Sequence, residues 1–154
     1  MRVEWLILAD FAEVINNKLY LQGGGWDKLT VNTGFPLNRQ LGIAASIRVP
    51  WNETNQEAAL RIEVLTQDAT SLAKMEGKFK VGRPPDHPPG EDQRAQIAAT
   101  VGIEIKSEGI YVVVAHLGDQ EEARVHFSVV PGPALAMRKR IESEHEPPGS
   151  GPPA

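Results

Sequence analysis

The chain contains no cysteine among its 154 residues. This absence excludes disulfide bonds, thiolate metal sites and cysteine nucleophiles together. The fold must therefore be held by packing alone. A chain of this length is long enough for one domain with a sizeable core and too short for two ordinary domains.

Long apolar runs are also missing. The run Trp5–Ala9 near the amino terminus is interrupted by Asp10, so it is too short to be the hydrophobic region of a signal peptide. No stretch reaches the roughly 20 apolar residues that a membrane helix requires. We therefore expect a cytoplasmic protein with no membrane partner.

An excess of positive charge is missing as well. The formal net charge is −4 and the pI is about 5.6. The basic field that usually marks a nucleic-acid-binding protein is therefore absent. The one dense basic run, Arg138–Arg140, is followed by Glu142, Glu144 and Glu146, which screen it at short range. We predict no nucleic-acid partner.

Signatures of catalysis are scarce. The sequence has no Gly-x-Ser-x-Gly elbow and no His-Glu-x-x-His motif. Scattered carboxylates cannot be assigned as a general acid and base, because any soluble protein has such pairs by chance. We predict no catalytic residue, no cofactor and no metal, and favour a protein that is not an enzyme. The sequence alone does not say what the protein does.

What the sequence does contain is period-two alternation of apolar and polar residues, the pattern of strands with one buried and one solvated face. It is clearest over Gln40–Pro50 and Gln96–Ile105. The predicted inward residues are Leu41, Ile43, Ala45, Ile47 and Val49 in the first segment and Ile97, Ala99, Val101, Ile103 and Ile105 in the second. Further strands are predicted at 3–14, 18–22, 60–64, 78–81, 109–117 and 123–130.

These strands predict one all-β domain over residues 1–131. We expect an antiparallel β-sandwich of about eight strands, immunoglobulin-like or jelly-roll-like, because the turns are short and frequent. The segment 68–76 could form a helical turn. Residues 132–154 are expected to form a tail, with a short helix over 134–146 or disorder, and the Pro- and Gly-rich end 146–154 is expected to be disordered.

Three places break the alternation and are the candidate interaction sites. They are the glycine run Gly23–Gly25 before Trp26, the turn Pro50–Asn52, and the proline-rich segment Arg83–Gln93, which cannot pair as a central strand. The glycine run fits either a phosphate cradle or a β-bulge, and a P-loop would require a following Lys and Ser or Thr. The residues singled out are Gly24, Trp26, Trp51, Asn52, Arg83, Asp86 and His87.

Other side chains admit two interpretations. His116 and His126 lie on the two arms of a predicted hairpin, where they are either solvated or part of a metal site. Trp5 shares a predicted face with Val3 and Ile7, which favours its burial. Aspartates near strand ends fit calcium ligands or ordinary turn residues.

Four phrases of the sequence carry a resemblance to a family of small bacterial proteins of unknown function. The phrases are Leu8–Ala12, Lys18–Trp26, Ile47–Asn55 and Val81–Pro85. The resemblance spans roughly residues 3–131. It implies a compact β-rich domain with no established activity, cofactor or catalytic residue to assign.

Two functions remain open at this stage. The first is a non-enzymatic β-sandwich that binds a partner protein, or a second copy of itself, through exposed loops or an unpaired strand edge. The second is a small-ligand or carbohydrate binder that uses an exposed Trp26 or Trp51 beside the glycine run.

Overall fold

The computed structural model describes residues 1–145 as nine strands, one 3-10 turn and one α-helix. The strands are β1 (Arg2–Ile15), β2 (Lys18–Gly24), β3 (Lys28–Val31), β4 (Leu37–Val49), β5 (Glu57–Thr66), β6 (Ser71–Lys80), β7 (Gln93–Ile105), β8 (Gly109–Leu117) and β9 (Gln120–Pro131), and the helix is α1 (Pro133–Glu144). The all-β prediction is confirmed. The disorder predicted for 146–154 lies outside the described residues.

The strands form two sheets. Sheet 1 has the order β2-β1-β4-β7 and sheet 2 has the order β3-β9-β8-β5-β6. All neighbouring pairs are antiparallel except β3 and β9, which run parallel from Lys28 opposite Ser128 to Val31 opposite Pro131. The predicted antiparallel sandwich is thus observed with nine strands and one additional parallel pair. The chain leaves sheet 1 after Gly25, which has a positive φ of 82°, and β3 then joins sheet 2.

The core lies between the two sheets and follows the alternation of the sequence. All five inward residues predicted for β4 are at most 1% exposed. The prediction that the other face of β4 is solvated is wrong, because Ala44 and Ser46 are 0% exposed and the β1–β2 hairpin crosses this face at Gly42. The five inward residues meet Leu60, Ile62 and Val64 of β5 and Val113 and Phe127 of β8 and β9. Leu135 of α1 also belongs to this core, so the helix is docked at its first turn.

The strand neighbours match the immunoglobulin arrangement. In that arrangement, β9-β8-β5-β6 take the places of strands G, F, C and C′, and β1-β4-β7 take those of A, B and E. The Tyr111 hydroxyl at the start of β8 donates a 2.6 Å hydrogen bond to the Ser107 carbonyl, which forms the tyrosine corner typical of such sandwiches. Val113, two residues later, stands where antibody domains have their second cysteine, and it is fully buried.

Two further local expectations prove wrong. The segment from Ser71 onward is strand β6 and not a helical turn, because Met75 and Phe79 pack on the core while the backbone pairs with β5. A bulge between Val3 and Trp5 shifts the register of β1 against β4, so Val3 contacts the core but Trp5 does not share its face.

The hairpin of β1 and β2 folds over the outer face of sheet 1. Its crossing point is Gly42 of β4, where an added Cβ would lie 2.7 Å from the carbonyl carbon of Phe11. Ala12 is joined to Thr100 of β7 by hydrogen bonds of 3.4 Å through its N–H and its carbonyl. Only glycine at position 42 permits this close approach.

Candidate functional site

The proline-rich segment Arg83–Gln93, called the proline loop below, is anchored to the turn that contains Trp51. The Arg83 guanidinium carbon lies 4.3 Å from the centre of the Trp51 ring, and Arg83 donates to the Trp51 carbonyl at 3.0 Å and to the Thr54 hydroxyl at 2.5 Å. The His87 ring stacks on Trp51 with centroids 6.0 Å apart. The loop is therefore ordered by cation–π, stacking and hydrogen-bond contacts.

Of the seven candidate residues, the structure brings five to this one place. Trp51, Arg83 and His87 are in direct contact, and Asn52 and Asp86 are exposed in the same turn and loop. The ring of Trp51 is half-buried under Arg83 and His87. The contacts of this tryptophan are thus already made within the chain.

Gly24 and Trp26 lie elsewhere. Gly24 ends β2 opposite Ala9 of β1, and Trp26 packs edge-on against Phe127 with ring centroids 5.6 Å apart. Gly23, with a φ of 57°, lies against the Asp10 carboxylate, where any side chain would collide. The glycine run is a corner that leads the chain from sheet 1 to sheet 2.

The position of the proline loop leaves one strand edge open. In the constant-type immunoglobulin arrangement, strand D lies in the chain directly before strand E and pairs with it. Here the segment between β6 and β7 is the proline loop, whose four prolines donate no backbone hydrogen bond and whose contacts are made with the Trp51 turn. Within residues 1–145, β7 therefore has β4 on one side and no strand on the other.

The β7 edge differs from the other three sheet edges of the described chain. The β3 edge is only 4 residues long, β2 ends in the glycine corner, and β6 carries Lys74, Lys78 and Lys80. Such short, irregular or lysine-rich edges discourage pairing with other chains. In contrast, β7 has 13 residues in continuous register with β4, and no charge or proline occurs between Arg94 and Glu104. It is a ready template for an added strand.

An apolar cleft opens beside this edge, between β7 and β6. It has a volume of about 230 Å³. Ile97 and Ala99 of β7 form one wall, and Met75 and Phe79 of β6 form the other. A strand added to β7 would place every second side chain on the side of this cleft.

A charged cluster on the outer face of sheet 1 holds Arg94, at the amino-terminal end of β7. Glu4 at the β1 bulge accepts hydrogen bonds from Arg94 at 2.8 Å, Ser46 at 2.9 Å and Arg48 at 2.9 Å. These bonds, that of Arg94 first, lower the pKa of Glu4 from 4.5 to about 2. The cluster joins β1, β4 and β7 and stays charged at neutral pH.

The two hairpin histidines do not meet. His126 lies opposite Val112, while His116 lies opposite Glu121 beyond a bulge, so the two are separated along the hairpin. In the described part of the chain, no group of three or more His, Asp or Glu is arranged to hold a metal ion.

A wider depression of about 600 Å³ lies between the β5–β6 and β7–β8 turns. Its carboxylate Asp68 is engaged by the Thr66 and Thr70 hydroxyls, and the bond from Thr66 above all lowers the pKa of Asp68. These contacts belong to the turn itself. The depression is also lined by Glu104 and by Glu108, which pairs with Lys139 at 3.5 Å.

One catalytic spacing escapes the sequence reasoning above. Ser71 and Lys74 have the Ser-x-x-Lys spacing of some acyl-transfer enzymes. A bulge in β6 places Ser71 opposite Leu65 and Lys74 opposite Glu63, so both side chains lie on the outer face of sheet 2. The Lys74 ammonium group pairs with Glu76 at 2.6 Å. The amine is thus engaged by Glu76, and the contacts of the described residues include none between it and the serine hydroxyl.

Comparison with known proteins agrees with this picture of the domain. The family described as "Family of unknown function (DUF6941)" matches residues 4–130. The chain belongs to this family. The match confirms the resemblance to a family of unknown function, and it covers both sheets except at their outermost residues. Helix α1 lies beyond the matched residues. No curated protein matches the chain.

No helix in the described residues is long and apolar enough to cross a membrane. Among the candidate sites of this family member, sequence reasoning identified the proline loop and the Trp51 turn, and it named an unpaired strand edge only in general terms without identifying β7. The signal for it was present, since four prolines directly precede a 13-residue strand.

Proposed function

We propose that the domain is a non-enzymatic protein-interaction module, which binds another polypeptide chain by adding a strand to the β7 edge. The observation that carries the proposal is the long β7 edge, uncharged between Arg94 and Glu104, beside an apolar cleft. Backbone hydrogen bonds would supply affinity and the cleft would select alternate side chains.

The proposal is favoured over ligand binding by the state of the tryptophans. Trp51 is covered by Arg83 and His87, and Trp26 packs on Phe127. A stacking platform for a sugar requires an uncovered ring face. The β7 backbone, in contrast, has no strand along one whole side within the described residues.

The test is a pull-down with three baits, which are wild type, Ala99→Lys and Ser71→Lys, followed by amide hydrogen exchange on the purified complex. Ala99→Lys places an ammonium group at the middle of β7, where its stem can lie along the cleft. Ser71→Lys adds the same charge to the exposed edge of sheet 2 and is the matched control. We expect bound chains to be retained by wild type and Ser71→Lys and lost by Ala99→Lys.

The purified complex must then show slower amide exchange within 95–102. The urea unfolding midpoint of each bait checks that it is folded. Equal retention by all three folded baits, or unchanged exchange of the β7 amides in the complex, would reject the proposed function.

A further inference from the structure

We infer that the chain added to the β7 edge is a second copy of this protein, paired antiparallel with the first about a twofold axis at Ala99. This inference rests on the proposed function. Sheet 1 of each copy would then join the other into one continuous sheet, and sheet 2 of both copies would lie on the same side of it.

Charge complementarity selects this register. With Ala99 on the axis, residue numbers of opposed positions sum to 198, so Arg94 lies opposite the second copy's Glu104. Asp92 lies opposite Lys106 by the same rule. All four residues are exposed, and each pair occurs twice because of the symmetry. Opposite charges that face each other across strands stabilise the pairing.

The neighbouring registers are disfavoured by like charges. If the second strand slips by one residue, the twofold axis moves by half a residue and the core-facing side chains of one copy lie opposite the outer side chains of the other. A slip by two residues moves the axis by one residue and keeps both cores on the same side of the sheet. An axis at Ala98 opposes Asp92 to Glu104. An axis at Thr100 opposes Arg94 to Lys106. Of these three registers, only the one centred on Ala99 pairs opposite charges.

Side-chain size is compatible with the same register. On the cleft side, Ile97 would lie opposite Val101 of the second copy, with the small Ala99 at the axis. On the outer side, Gly102 leaves open space at its missing Cβ, and the opposite residue is Gln96. Arg94 donates to Glu4 through Nε, so its remaining N–H groups can reach the Glu104 carboxylate of the second copy.

The test exchanges charges without altering the net charge. Glu104→Arg with Lys106→Glu opposes like charges at four positions of the dimer and leaves the Glu4 cluster untouched. The matched control exchanges Arg138 and Glu142, both exposed on α1. Sedimentation equilibrium should show a dimer for wild type and control, and a dissociation constant at least roughly tenfold higher for the β7 exchange.

A rescue experiment makes the register itself measurable. The Asp92→Lys variant and the Lys106→Glu variant each oppose like charges in their own homodimer. In the heterodimer of the two variants, opposite charges face each other again at both ends of the paired strands. Native mass spectrometry of the mixture should therefore show the heterodimer in excess of both homodimers. A statistical mixture, or wild type that is monomeric throughout the dilution series, overturns the inference.

Failure of this inference is distinguishable from failure of the proposed function. If wild type is monomeric but a different purified protein still slows exchange within 95–102 and Ala99→Lys abolishes its binding, the edge is used by a partner of another sequence. If Ala99→Lys changes neither self-association nor partner binding, both the inference and the proposed function are rejected.

Discussion

The hydroxyl of Tyr111 donates a 2.6 Å hydrogen bond to the carbonyl oxygen of Ser107, and this bond closes the turn between β7 and β8. Tyr111 is 4% exposed and its ring stacks on Phe127. The bond thereby fastens the carboxyl end of the β7 edge to the core. It also fixes the turn that carries Lys106.

Tyr111→Phe tests this corner. The variant keeps the ring stacking and loses the hydrogen bond, which leaves the Ser107 carbonyl without its donor. We expect a loss of about 1 kcal/mol in the free energy of unfolding, measured by urea denaturation. Tyr20→Phe is the control, because Tyr20 is 48% exposed and should change stability little. A Tyr111→Phe protein as stable as wild type would contradict a stabilising role.

Gly42→Ala tests the crossing of the β1–β2 hairpin over sheet 1. The new methyl group would lie 2.7 Å from the Phe11 carbonyl carbon, so the backbone must shift. We expect a destabilisation of about 1–3 kcal/mol in urea unfolding. Gly102→Ala on β7 is the matched control, since nothing lies within 4 Å of its missing Cβ. Equal stability of the two variants would show that the hairpin does not press on β4.

Glu4 predicts a specific loss of stability in acid. Its pKa falls from 4.5 to about 2 on folding, so the unfolded chain binds a proton more readily. The stabilisation from this carboxylate is therefore complete above pH 4.5 and is lost as the pH falls through the interval down to about 2.

Glu4→Gln should flatten the pH dependence of stability in this interval, and the exposed Glu142→Gln should not. Urea unfolding at a series of pH values gives the slopes, and NMR titration of the Glu4 side chain gives its pKa directly. A Glu4 pKa of about 4.5 in the folded protein would contradict the assigned cluster.

Arg83→Ala tests the anchoring of the proline loop. The change removes the cation–π contact with Trp51 and the bonds to the Trp51 carbonyl and the Thr54 hydroxyl. We expect the free energy of opening of the proline loop to fall by about 1 kcal/mol. Amide exchange in the loop should then be faster and the Trp51 indole resonance should shift. Arg138→Ala on α1 should change neither. Unaltered exchange in Arg83→Ala would show that other contacts hold the loop.

The sequence determined which side chains of β4 face the space between the sheets and which segment cannot pair, but not that Ala44 and Ser46 on the opposite face are buried too. Period-two alternation is a local property, so it correctly placed Leu41 to Val49 on the core side of β4. Proline lacks a backbone donor wherever it occurs, so the proline loop could be excluded from the sheets without knowledge of the fold. The absence of cysteine likewise fixed packing as the means of stabilisation.

Only the tertiary structure decided which strands are neighbours. Alternation reports that one face of a strand is buried, but it does not report what lies on either side. The parallel pairing of β3 with β9, the bulge that turns Trp5 away from the face of Val3, and the open edge of β7 all follow from pairings between distant segments. Such pairings depend on the combined packing of both sheets. For that reason the open edge of the thirteen-residue strand β7, seen within residues 1–145, appears only in the folded protein.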